Sequence, residues 1–138
     1  MTPKEKKRVL LVVNVLLFVL LFGLISFNKE VIRPEYSDIP LVHLLSGNFP
    51  NFIAAFIISL AFTNGVIAKR VEHTRFFVYL SALLVFIILT VEEFSPMWGA
   101  STWYDSADIL ASGIGSLCTI LIFESLTLNK RKRKHKSL

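Results

Sequence analysis

The residues best equipped for chemistry crowd into one stretch, Val91 to Gly115 (VEEFSPMWGASTWYDSADILASGIG), with four carboxylates, two tryptophans and a tyrosine. Carboxylates beside hydrocarbon are costly, so they stand there for a reason. Glu92 and Glu93 are adjacent, and Asp105 and Asp108, three apart, share a face if a helix begins at Ser106 or earlier. If a glutamate meets Asp108, the pair could share a proton and one carboxyl could act as acid or base. Plainer roles compete. Glu92 and Glu93 can be solvated residues that stop a helix, and Asp105 can cap the next one through a backbone N–H. Asp108, a turn deeper, calls for a structural or ligand-contacting role beyond capping. Trp98, Trp103 and Tyr104 suit a sugar or lipid headgroup as aromatic platforms, or simply the aromatic belt of a membrane surface.

The elements that must position these residues are apolar. Of the 138 residues 54% are hydrophobic and only 18% charged, too little polar surface to cover a water-soluble globule of this size. Four apolar runs stand out: Val9 to Phe27, Phe49 to Ala68, Phe76 to Val91 and Ala107 to Leu128. Their apolarity is continuous rather than confined to one face, which predicts an all-α membrane bundle of four transmembrane helices in a single domain. The first run exceeds the usual signal-peptide length and lacks a small-residue cleavage site, so it reads as an uncleaved anchor. Pro50 falls in the first turn of the second run, where proline is tolerated. The fourth is rich in small residues; Ala111 with Gly115, and Ser112 with Ser116, have the spacing that lets helix backbones approach closely.

Lysine and arginine resist translocation and so set orientation. Thirteen lie before the first run, between the second and third (Lys69, Arg70, Arg75) or in the tail, residues 129–138; the two alternate loops hold only Lys29 and Arg33. Both termini are therefore expected in the cytoplasm, with Glu92 to Gly115 at the outer face. The tail NKRKRKHKS reads as a topology anchor with affinity for anionic lipid, and nothing accompanies its charge that would make a nucleic-acid module. Glu124, near the cytoplasmic end of the fourth run, is expected to pair with a tail lysine or to snorkel to water.

No Gly-rich phosphate loop, HExxH or GxSxG element occurs, and His43, His73 and His135 fall in three separate segments. No metal site and no cofactor are expected. Cys118 is the only cysteine, so no intrachain disulfide can form, and it reads as a packing residue.

The Glu92 to Gly115 stretch resembles the VanZ-like family, small bacterial multi-helix membrane proteins named for a member linked to teicoplanin resistance. The family pattern has a glutamate ending one helix, an arginine in the following loop, then an aspartate, an asparagine four residues on and a glycine three after that. Glu92 or Glu93 matches the glutamate, Asp108 the aspartate and Gly115 the glycine, while Asp105 takes a position that is often acidic. The arginine falls near Thr102 and the asparagine is replaced by Ser112. The resemblance covers about a fifth of the chain and implies a multi-pass protein of the bacterial inner membrane with a cell-envelope role.

Together these readings predict a protein that binds or modulates an envelope component, a lipid-linked or glycopeptide ligand, through Glu92, Glu93, Trp98, Trp103, Tyr104, Asp105, Asp108 and Ser112. Two rivals stand beside it: a membrane enzyme using an outer carboxylate on a lipid headgroup, and a small oligomeric transporter packed through the fourth helix. Membrane lipid is the expected surrounding partner, with a second copy or another membrane protein as further partners.

Overall fold

The computed structural model describes residues 2–69, 72–94 and 105–136, the side chains of Pro3 and of 129–136 excepted. Within them the chain is all-helical. Helix α1 (Pro3–Phe27) opens on a capping box, in which Thr2 Oγ1 accepts the Glu5 N–H at 3.3 Å and Glu5 Oε2 accepts the Thr2 N–H at 2.6 Å. It runs through a π-helical turn (Asn28–Ile32) into the short α2 (Arg33–Glu35). Helices α3 (Pro40–Lys69), α4 (Thr74–Phe94) and α5 (Ser106–Lys136) follow. Four helical segments, Lys4–Glu35, Pro40–Lys69, Thr74–Phe94 and Ser106–Leu128, are long and apolar enough to cross a membrane. The chain has the build of a multi-pass membrane protein.

Helix α3 is the centre of the bundle. Every second residue from Ile53 to Thr63 is buried, and a step of two residues turns a helix by about 200°, so two opposite faces are covered. One face, Ile53 and Ile57, packs on Leu21 of α1. The other meets α5, whose buried residues Ser112, Gly115, Ser116, Thr119 and Phe123 recur at helical spacing. Helix α4 closes the group with Val78, Ala82 and Val85 on one buried stripe. By contrast, only 6% of the most apolar window of the segment containing α1 is buried, against 33% for α3, so α1 leaves most of its apolar surface uncovered by the rest of the bundle.

The α3–α5 contact is close because of its small residues. A Cβ on Gly115 would collide with the Phe52 carbonyl oxygen and lie 3.0 Å from the Phe56 nitrogen. One turn on, Thr119 Oγ1 donates to the Phe56 carbonyl at 3.0 Å, tying the two helices across the gap. The small-residue spacing read from the fourth run thus packs within the chain, against α3.

The helices outrun the apolar segments. Helix α3 begins nine residues before Phe49, so Pro50 sits in the helix interior and not in its first turn. A proline there supplies no N–H to the carbonyl four residues back, which is that of Ser46. Two side chains beyond the end of α1, one in the π turn and one in α2, replace the missing donor: Asn28 Nδ2 donates to Ser46 O at 2.8 Å and Arg33 Nε to the same oxygen at 3.2 Å. Arg33 Nη2 also donates to the next carbonyl, Gly47 O, at 2.8 Å. Asn28 is 1% exposed, so it is committed to this task. These bonds hold the stretch between the first two runs in helical form, where the sequence predicted a loop.

Candidate functional site

At one end of the bundle the last turn of α4, the first turn of α5 and the part of α3 around Pro50 and Asn51 converge. Helix α4 continues through Glu92 and Glu93 to Phe94, so both glutamates belong to its last turn. Glu93 reaches across to α5, its Oε1 accepting the Asp105 backbone N–H at 3.1 Å. Asp105 caps α5: its Oδ1 accepts the Ala107 N–H at 2.8 Å, and its carbonyl accepts the Asp108 N–H at 3.1 Å. The capping role considered for Asp105 is the one it fills.

Asp108 stands one turn inside. The Asn51 side chain is its hydrogen-bonding neighbour, and the charged groups whose fields reach it are Glu93, Asp105 and Arg33. Its Oδ1 is buried and has no hydrogen-bond partner among the described residues. A buried acceptor without a donor is costly, and the cost is recovered when something supplies one. Glu92 does not join this group; it is half-buried on the same turn of α4. Ser112, four residues below Asp108, is 3% exposed and belongs to the α3–α5 seam rather than to an open surface. Trp98, Trp103 and Tyr104 lie outside the described residues.

Three participants escaped sequence reasoning: Asn28, Arg33 and Asn51. Arg33 had counted only toward charge bias, yet it supplies the cation near Asp108 that no residue of the Glu92 to Gly115 stretch provides. The signal for Asn51 was its place directly after Pro50, a polar residue in an apolar run. The partnership itself depends on the heights at which α1, α3 and α5 pack, α3 and α5 running parallel and α1 against them, which no local pattern encodes. Chemically, the arrangement is a cluster of acceptors within the field of one guanidinium, suited to a group bearing N–H or O–H donors. Among the described residues no group of three or more His, Cys, Asp or Glu could hold a metal ion.

The opposite end is basic. There Glu124 pairs with Arg75 of α4 at 2.7 Å and accepts the Tyr79 hydroxyl at 2.7 Å. These partners come from a neighbouring helix, and the tail side chains lie outside the described residues. Comparison of the chain with family models, curated proteins and solved structures finds no match to any of them.

Proposed function

We propose that the chain is a VanZ-like protein of the bacterial inner membrane, with both termini in the cytoplasm, that binds a lipid-linked or glycopeptide envelope component at its outer, acidic end. The observation that carries this reading is the Asp108 carboxyl, with a buried and unpartnered Oδ1 beside Asn51 and within the field of Arg33. Donor-bearing ligands, such as the amines and hydroxyls of glycopeptides and of sugar-linked lipids, supply what that oxygen lacks. The charge bias of the loops favours the orientation. Asp105 and Glu93 hold the start of α5 in place, so they act on the ligand through the position of Asp108.

The test is a titration of the purified protein with teicoplanin and, separately, with a lipid-linked peptidoglycan precursor. Asp108→Asn keeps the size of the side chain and removes its charge. It is expected to weaken binding about tenfold, the worth of one charge-assisted hydrogen bond. Glu92→Gln, outside the Asp108 group, is expected to bind as the unaltered protein does. Unchanged binding by Asp108→Asn, together with unchanged glycopeptide susceptibility of cells carrying it, would sink the proposal.

A further inference from the structure

At the basic end a cleft of about 720 Å³ opens between α3, α4 and α5, a size usual for a small-molecule site. Ile67, Phe76, Ile122 and Leu126 both line it and are exposed, so its open side is apolar. All four belong to segments apolar enough to cross a membrane, and that side faces acyl chains. Three threonines of α3 and α5 also line the cleft. Two have spent their hydroxyls: Thr119 Oγ1 donates to the Phe56 carbonyl, and Thr127 Oγ1 to the Phe123 carbonyl at 2.9 Å. The third, Thr63, is 2% exposed and its Oγ1 has no hydrogen-bond partner among the described residues. A hydrogen bond left unmade beside hydrocarbon is costly, so this hydroxyl points to an occupant that carries an acceptor. Thr63 lies six residues before the end of α3, hence about 9 Å below the helix terminus. The headgroup layer is roughly 5–8 Å thick on each side of a bilayer, so the hydroxyl stands near the depth at which ester carbonyls begin the hydrocarbon.

Charge decides which lipid brings the acceptor. Among the described residues Glu72 is the one carboxylate that lines the cleft and Arg75 the one lysine or arginine, and Arg75 is paired with Glu124. A phosphate at the mouth would face Glu72 with no unpaired lysine or arginine in the lining to balance it. That disfavours anionic and zwitterionic phospholipids alike and leaves the glycerolipids without phosphate. We infer that the cleft binds one diacylglycerol, drawn from the membrane leaflet at the basic end. Its acyl chains pack along the apolar open side, and one ester carbonyl accepts the Thr63 hydroxyl. Its free hydroxyl stands at the mouth, where the Glu72 carboxylate accepts it.

Native mass spectrometry of the full-length protein in detergent tests the inference, with diacylglycerol, phosphatidylethanolamine and phosphatidylglycerol of matched chains supplied in equal amounts. Diacylglycerol is expected to be retained at one per chain and about fivefold better than phosphatidylglycerol, the scale of one like-charge contact at an aqueous rim. Thr63→Val, which keeps the shape and removes the donor, is expected to weaken diacylglycerol retention about fivefold, the worth of one hydrogen bond. Its thermal unfolding is expected to stay unaltered. Glu72→Lys places a cation at the mouth and is expected to raise phosphatidylglycerol retention about fivefold. Ile122→Trp is expected to fill the cleft and abolish retention; should it fail to fold, Thr63→Val and Glu72→Lys decide without it. Retention of either phospholipid as well as diacylglycerol by the unaltered protein, full retention of diacylglycerol by Thr63→Val, or no gain of phosphatidylglycerol in Glu72→Lys would each overturn the assignment.

Discussion

A single hydrogen atom decides how closely α5 approaches α3. Gly115 brings α5 against the α3 backbone, and any side chain there meets the Phe52 carbonyl, a rigid obstacle inside a helix. Gly113, two residues away, faces only the Phe86 ring, 3.4 Å from where a Cβ would stand. Gly115→Ala is therefore expected to cost about 1–3 kcal/mol, the usual range for overpacking a filled core. Gly113→Ala is expected to be neutral or slightly stabilising, since alanine is the better helix former. Thermal unfolding of the two variants in detergent compares them directly. The separation also bears on Asp108, which sits two turns above Gly115 on the same helix. A shift of α5 away from α3 would separate Asp108 from Asn51, so ligand binding is expected to fall with stability in Gly115→Ala.

The element most dependent on its neighbours is the first part of α3. Proline in a helix interior costs about 3 kcal/mol, through the lost hydrogen bond and the clash with the carbonyl four residues back. Here the Ser46 and Gly47 carbonyls recover donors from Asn28 and Arg33, both beyond the end of α1. The π turn over Asn28–Ile32 contributes by widening the helix where Asn28 must face inward. A double-mutant cycle isolates this arrangement. Asn28→Leu alone is expected to destabilise by about 1–3 kcal/mol, because a buried carbonyl loses a donor. In a Pro50→Ala background the restored N–H of residue 50 serves Ser46 instead, and the same change is expected to cost less than about 1 kcal/mol. Equal costs in both backgrounds would mean that Asn28 stabilises through packing alone. Arg33, which repairs this defect, and Asn51, next to Pro50, are also the groups that reach Asp108, so an element-scale defect repaired by side chains also furnishes the site.

Over the whole molecule, charge is divided between two ends. Glu93, Asp105 and Asp108 gather at one, while Lys6, Lys69 and Arg75 stand at the other. The four long helices alternate in direction, so both termini fall on the same side of any membrane they cross. In the proposed orientation, which the positive bias of the loops favours, that side is the cytoplasm. Reporter fusions at Ser37, in the turn after α2, are expected to be active only with an exported reporter, and fusions after Leu128 only with a cytoplasmic one. The reverse pattern would invert the molecule and move the acidic end to the cytoplasm, taking the envelope-ligand proposal with it.

The amino-acid sequence by itself determined the number of long helices and the membrane class, because continuous apolarity over a span length is a local property of the chain. It also marked Asp105 and Asp108 as successive acids at a helix start, since three-residue spacing and capping are local too. Pro50 was misplaced for the same reason: the apolar run begins at Phe49, but side chains 18 and 13 residues distant from Ser46 support a helix that starts nine residues earlier. Only the tertiary structure decided that Arg33 and Asn51 join Asp108, that Glu93 rather than Glu92 reaches α5, and that Glu124 pairs with Arg75. Each of those partnerships depends on which helix lies beside which and at what height, and that is fixed by packing between distant segments such as Gly115 on Phe52, not by any pattern within one of them.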